Sequence, residues 1–492
     1  MDLSAPRFLR AAALALAALY LALAFRGLDA LIDTPIAEDG WYALTIARNI
    51  ANGHGVTIDG ETWTNGFQPL FTFLQALGFF LAGGDTHGGL RVFFALAAFV
   101  HIAGAVLVAG LARDAAGDRK DLAGALAALG YLAAIKAYND FYTGLETGLQ
   151  LMLYALVWRL HVRDWRGRWR REASLGLALG LLVLARIDAA LFVAVLCADE
   201  LRRGWRAPLD AVRRCFVVGG IAVLVSAPWW LYNALVFGHP MPTSGFAQQE
   251  TLVSLERTLS ALWALGCVAM PWIFGGAHED EIFTLARAVA LGALAWLVWR
   301  SRWRPSGDWG FAGLLLATYG LLVPYYWLTF FADWFYIRYF APLSLLAFVF
   351  VPALLVHAAR AVLPALAGLA GAATAVLLAL AWSGWSPFGA SAHHEQVAMV
   401  AELVPPDAKV AAGQSGTLGF LRERVVNVDG KVNPEALAWR GRMWDYLDKR
   451  GIEWFADSTW YVELYLGLDP EAVGWRLVAQ SGDFTVYRRV RP

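Results

Sequence analysis

Charge is scarce in this chain. Only 16% of its 492 residues are Asp, Glu, Lys or Arg, against 59% hydrophobic residues, and the 40 acidic and 40 basic side chains cancel. Without a net field there is nothing to hold a nucleic-acid backbone, and no nucleic acid is expected as a partner. Cysteine is nearly missing as well. Cys197, Cys215 and Cys267 stand singly in or beside apolar runs, without the CxxC spacing of a zinc site or the paired set of a disulfide framework. No GxxxxGK[ST] occurs, so the glycines of "GHG" (53–55) and "AGQSGTLG" (412–419) imply no nucleotide site. Repeats of solenoid period are absent too.

Long apolar runs fill the space that charge leaves. The mean hydropathy of +0.50 lies outside the range of water-soluble domains and marks an integral membrane protein. A span needs about 20 apolar residues, and loops rich in Lys and Arg stay in the cytoplasm. These rules put the N-terminus inside and predict an uncleaved first helix over about 8–31, an outer loop over 33–90 and a second span over about 91–112. "RDAAGDRKD" (113–121) is then inside, and spans over about 122–138 and 146–161 flank an outer turn, "NDFYTGLE". The basic loop "RLHVRDWRGRWRR" (159–171) follows on the inside. Basic residues also follow the next apolar stretch, so that stretch reads as two short helices meeting at the outer face at Arg186-Ile187-Asp188; a single span would bury the charge pair. Crossings over about 215–236, 282–300, 309–329, 338–357 and 361–383 bring the count to about eleven. The stretch 259–276 is taken as interfacial or re-entrant, because a span there would put "RSRWR" (300–304) outside.

Composition changes after "SGWSPFGASAHHEQ" (383–396), where His393, His394 and Glu395 read as linker. Residues 391–492 read as a soluble α/β domain, with strands predicted in "KVAAG", "RVVNVDG", "IEWFADS", "WRLVAQS" and "FTVYRRV". One helix is predicted from Pro434 to Gly451, a good start and a good stop. The fold expected is a polytopic α-helical membrane protein with about eleven transmembrane helices in residues 1–390, followed by an extracytoplasmic α/β domain.

This path sorts the unusual polar residues to one side. Glu38, Asp39, Arg48, His54, Asn65, Gln68, Asn139, Asp140, Glu146, Arg186, Asp188, His239, Asp333, Arg338 and "HEDE" (278–281) all fall at or beyond outer helix ends. Ionisable groups at a membrane are costly, which makes a functional role the default. Glu38 and Asp39 repel each other near a low-dielectric boundary, and a carboxylate so poised can take a proton from a hydroxyl. The same acids also suit the N-terminus of a helix over 40–53, and the two readings are compatible.

"EDGWYALTIARNIANGHGVTIDGETWTNGFQPL" (38–70) resembles the first extracytoplasmic loop of the GT-C glycosyltransferase superfamily, above all its bacterial arabinofuranosyltransferase-like branch, related to aminoarabinose transferases and protein O-mannosyltransferases. "TGLETGL" (143–149), "LLVLARIDAALF" (181–192), "PWWLYNALVFGHPMPTSG" (228–245), "IRYFAPL" (337–343) and "VVNVDGKVNPEA" (425–436) are similar to further motifs of such proteins. The resemblance implies transfer of a sugar from a polyprenyl-phosphate donor to a hydroxyl of a glycan, lipid or polypeptide acceptor, outside a bacterial cytoplasmic membrane and among its lipids. It implies a general base in the Glu38/Asp39 pair, with the choice open.

A lipid phosphate needs cations at headgroup level, for which Arg186, Arg338 and Lys136 are candidates, Arg because its fork donates twice. The alternatives are internal ion pairs, Arg186 with Asp188 and Lys136 with Asp140, or an interfacial anchor at Arg338. Trp41, Tyr42, Arg48, His54, Asn65, Gln68, Asp140, Glu146, Asp188 and His239 are the pocket candidates. No cofactor is implied. "HEDE" offers metal ligands but equally a solvated turn, so no metal is assigned and a divalent cation is left open. The alternative function is a non-enzymatic transporter or flippase of a lipid-linked glycan, but the repeated halves with paired broken helices typical of transporters are not seen. A scaffold would leave the outer charges idle.

Overall fold

The computed structural model describes residues 4–33, 35–163, 165–251, 253–273, 281–306, 310–358, 363–383 and 393–490. Among them six helices are long and apolar enough to cross a membrane: Ala5–Phe25, Thr86–Ala115, Pro208–Phe237, Glu281–Ser301, Gly310–Thr329 and Ala341–Ala358. Pro69–Leu81 and Ala367–Trp382 are apolar but shorter. The chain is therefore a multi-pass membrane protein. The expected count of about eleven also includes short helices such as Lys120–Leu132 and Thr147–His161.

Several boundaries differ from expectation, each for a local reason. The first span stops at Phe25, because Arg26 takes an extended backbone and buries its guanidinium against the Leu23 and Ala381 carbonyls. Residues 122–138 are not one helix. Lys120–Leu132 ends before the extended Ala134, and Ile135–Tyr142 starts anew. Within 259–276, the described helix Leu255–Ala269 stops just short of Pro271. Its 15 residues reach only about 22 Å, short of a bilayer core. His278, Glu279 and Asp280 of "HEDE" lie outside the described residues, as does most of the 383–396 linker.

The reversal at Arg186 is present. Trp169–Ala185 and Ala190–Arg203 are joined through the short turn Ile187–Ala189, and Arg186 breaks the helix with φ −152° and ψ 123°. At 1.5 Å per residue the first of these helices is about 25 Å long, so Arg186 and the basic loop lie at opposite ends of it. At the basic end Glu200 accepts from Arg166 and Arg214, while Glu172 accepts from both terminal nitrogens of Arg213.

All five predicted strands are strands: β1 Val410–Ala412, β2 Val425–Asn427, β3 Trp454–Ser458, β4 Trp475–Ser481 and β5 Phe484–Arg489. The sheet order is β2-β1-β3-β5-β4, with β1 parallel to β2 and β3, and β5 antiparallel to β3 and β4. Side chains alternate between two apolar layers, Ala411, Val426 and Phe455 on one face and Val410, Ala412 and Trp454 on the other. The single helix expected over 434–451 is two, Pro434–Ala438 and Met443–Lys449, because Gly441 between them adopts φ 86°.

The sheet region rests on the helix Glu38–Ala51. The Trp41 and Phe420 rings pack at a tilt with centroids 4.7 Å apart, the Tyr42 hydroxyl donates to the Gly413 carbonyl at 2.8 Å, and Arg48 donates to the carbonyls of Gly419 and Phe420. This contact closes a cavity between the membrane helices and the C-terminal sheet.

Candidate active site

The cavity encloses about 580 Å³. Asp39 enters it from the first turn of the helix Glu38–Ala51, and Gln68 from the residue before Pro69. Glu146 precedes the helix Thr147–His161, and Arg186 and Asp188 come from the helix reversal. Arg338 and Tyr339 sit on the one-turn helix Tyr336–Tyr339, and Lys431 reaches in from the loop after β2. Phe71, Leu191, Leu321 and Trp230 make part of the wall apolar.

Arg186 is saturated. It pairs with Glu146 at 3.0 Å and Asp188 at 2.8 Å, and donates to the Tyr326 hydroxyl at 3.2 Å while lying over the Tyr339 ring. Tyr326 in turn donates to Asp188 at 2.5 Å. Arg338 is different. Its nearest carboxylates, Asp39 and Glu146, stand 4.0 and 3.9 Å away, and its Nε and Nη1 are buried without a hydrogen-bond partner among the described residues. Buried guanidinium donors left open are costly, and an anionic oxygen would satisfy them.

Lys431 completes the cationic side. Its Nζ lies 3.1 Å from Asp39 Oδ1 and 3.6 Å from Asp429 Oδ2. Burial works against the ammonium charge, but Asp39 and Asp429 outweigh it and hold the pKa above the usual lysine value. Burial also pushes the Asp429 carboxyl up, with Lys431 opposing.

Glu38 and Asp39 are neighbours on the helix, so their side chains diverge by about 100°. Asp39 faces the cavity. Glu38 faces the C-terminal region, where it accepts from the backbone N–H groups of Gly416 and Thr417 and from the Thr417 hydroxyl at 2.7 Å. A Cβ on Gly416 would stand 2.3 Å from the Glu38 carbonyl, so this seat requires glycine.

Of the residues singled out in the sequence, Asp39, Tyr42, Gln68, Glu146, Arg186, Asp188 and Arg338 converge on the cavity. Asn65 stands just behind it, accepting from the Thr243 N–H at 3.0 Å. Lys136 and Asp140 do not belong to it; they form a buried pair at 2.5 Å, one helical turn apart. Trp41 is buried under Phe420, and His239 meets Phe246 edge-on. Arg48 and His54 face a separate cavity on the same helix. Sequence reasoning gave no role to Lys431 or Tyr339, whereas Tyr326 lies in "VPYYWLTFFADWFY" (323–336), a stretch whose aromatics could line a groove. Lys431 did stand in a quoted motif, "VVNVDGKVNPEA", and a lone Lys two residues after Asp429 was the available signal.

No protein-family model matches the sequence, and no curated protein matches it. Solved structures do match. ArnT from Cupriavidus metallidurans bound to undecaprenyl phosphate is 15% identical, with 98% of this chain and 97% of that chain covered and a TM-score of 0.57. The oligosaccharyltransferase AglB from Archaeoglobus fulgidus, in complex with an inhibitory peptide and a dolichol phosphate, is 13% identical over 98% of this chain and 74% of that chain, with a TM-score of 0.53.

The chain has a GT-C fold. That likeness covers the membrane helices and the C-terminal sheet region together, as the sequence resemblance implied. Identities this low carry the GT-C fold alone, so the chemistry is argued from the cavity.

Proposed function

We propose that this protein is a glycosyltransferase that moves a sugar from a polyprenyl-phosphate donor to an acceptor hydroxyl, with Asp39 as the general base. The observation that carries the reading is the content of one cavity: a carboxylate, Asp39, within 4.0 Å of Arg338 and 3.1 Å of Lys431, beside an apolar wall. Asp39 takes the proton of the acceptor O–H, and the oxygen lone pair attacks the anomeric carbon. The bond from that carbon to the phosphate oxygen breaks, and its electron pair leaves with the lipid phosphate. Arg338, with open donors, and Lys431 stabilise the charge that develops there. The apolar wall accommodates the start of the isoprenoid chain. Undecaprenyl phosphate on ArnT and dolichol phosphate on AglB, proteins of the same fold, support a donor of this class.

Orientation follows from the charge distribution. The basic loop after His161 lies at the helix ends opposite the cavity, and basic loops stay in the cytoplasm, which supports our reading of the cavity as extracytoplasmic, on a bacterial cytoplasmic membrane, with residues 391–492 as an outer domain. The test is reconstitution of the purified chain with polyprenyl-phosphate sugars while release of the lipid phosphate is followed. Asp39→Asn is expected to lower turnover at least about 100-fold. Wild-type turnover by Asp39→Asn would overturn the base assignment, and no donor consumption by the wild type with any acceptor would overturn the transferase reading.

A further inference from the structure

The helix Glu38–Ala51 borders a second cavity, of about 370 Å³, that shares no lining residue with the first. Three arginines line it, Arg48 from the helix and Arg422 and Arg424 from the stretch between the helix Gly416–Leu421 and β2. Its acids are Asp59, Glu61 and Glu423.

Two of those acids are already matched from outside the cavity. Lys409 pairs with Glu61 at 3.0 Å and Arg450 with Asp59 at 3.5 Å, and Arg450 also reaches Glu435, which Lys449 holds at 2.8 Å. That network of three acids and three bases is neutral by itself. The three arginines are then opposed in the wall by Glu423 alone, an excess of two positive charges.

None of the three has found a carboxylate. Among the described residues they donate only to backbone carbonyls: Arg48 to Gly419 and Phe420, Arg422 to Val404, Pro405 and Ala408, and Arg424 to Asp407. A guanidinium carries five N–H donors, so each has donors to spare. Burial pulls Arg48 below the usual guanidinium pKa, and the opposing Glu423 does not cancel the shift; Arg422 is lowered in the same way against Asp407, which is exposed and outside the cavity. Two more donors are buried with no partner among the described residues, the Arg422 Nε and the hydroxyl of Thr45, a cavity residue only 2% exposed. Open donors beside uncompensated charge call for an anion.

The donors also select which anion. A carboxylate brings one charge and two oxygens in a plane, whereas a phosphate monoester brings about two charges and three terminal oxygens that accept from several directions. We propose that the second cavity binds a phosphate monoester group. The site stands apart from the transferase reading and does not rest on it.

The test is equilibrium binding of glucose 6-phosphate to the full chain in phosphatidylcholine nanodiscs, with glucose as the neutral comparator and glucuronate as the planar anion. Glucose 6-phosphate should bind at least about tenfold more tightly than either. Thr45→Val, which keeps shape and removes the hydroxyl, and Arg424→Gly should each weaken that binding about tenfold without lowering the unfolding temperature. Arg424 is suited to this because its backbone is left-handed, φ 61°, where glycine is unstrained. Lys431→Met/Arg338→Ala, which strips the first cavity of its open cations, should retain the binding. Phosphatidic acid in the nanodisc separates the sources of the group: competition by this monoester lipid, and not by the diester phosphatidylglycerol, assigns the site to a lipid headgroup, and no competition by either assigns it to a soluble phosphate ester, each in support of the site. Glucose 6-phosphate bound no more tightly than glucose or glucuronate, wild-type affinity in both Thr45→Val and Arg424→Gly, loss confined to Lys431→Met/Arg338→Ala, or phosphatidylglycerol competing as well as phosphatidic acid overturns the proposal.

Discussion

Lys136 and Asp140 meet at 2.5 Å, one helical turn apart, with side chains 1% and 4% exposed. Lys431 and Asp39 meet at 3.1 Å across 392 residues of sequence, on a cavity wall, each 14% exposed. The chemistry of the two pairs is the same and their surroundings are not. The first is sealed and local, so its charges answer to each other. The second is assembled by docking the C-terminal sheet onto the outer helix, with Arg338 beside it holding unfilled donors. A sealed pair supports the fold, whereas an open pair next to unsatisfied donors is where a charged ligand gains most.

The comparison breaks most visibly in stability. Asp140→Asn strands the Lys136 charge and should cost about 3–5 kcal/mol, while Asp39→Asn leaves Lys431 with Asp429 and should change stability by less than about 1 kcal/mol. Thermal unfolding of both variants in detergent checks this. Next in size is Lys431→Met, expected to lower kcat/KM for the lipid-phosphate sugar by about 10- to 100-fold, as a charge-assisted hydrogen bond worth about 1.5–3 kcal/mol is lost. Lys136→Met/Asp140→Leu should leave that kinetic constant unchanged.

Gly416→Ala puts a methyl group 2.3 Å from the Glu38 carbonyl. It should cost about 1–3 kcal/mol and loosen the docking, read as faster proteolysis within 393–490. The last effect is a slope rather than an offset. Asp457 is a buried acid with no cation paired to it among the described residues, and burial pushes its carboxyl up to about 7 against the N–H groups of Gln414, Ser458 and Gly413. The folded chain therefore keeps a proton that the unfolded chain releases near pH 4. Stability from this group is full below about pH 4 and is lost as pH rises through about 7. Asp457→Asn should flatten the dependence of Tm on pH within that window.

Much of this was legible in the sequence. Polar residues in an apolar chain stand out, which is why Asp39, Glu146, Arg186, Asp188 and Arg338 could be named together before any fold was known. The five strands were legible from short β-branched and aromatic runs between turns. The Lys136–Asp140 pair was legible as an ion pair from its spacing of four. The division of labour between Glu38 and Asp39 was not, because it depends on which face of their helix the C-terminal region covers. Lys431 was hidden for the same reason, since nothing local links it to Asp39. The long helix expected over 434–451 fails across 439–442, where Gly441 takes a left-handed backbone and Arg442 is not helical either.

The central claim is that the open pair, and not the sealed one, belongs to the donor-phosphate site. Polyprenyl phosphate binding to the full chain in nanodiscs tests it most directly, comparing wild type with Lys431→Met, Arg338→Ala and Lys136→Met/Asp140→Leu. The account predicts affinity about tenfold weaker or more for the first two variants and unchanged for the double variant. Wild-type affinity in Lys431→Met and Arg338→Ala, or equal loss in all three, would contradict it.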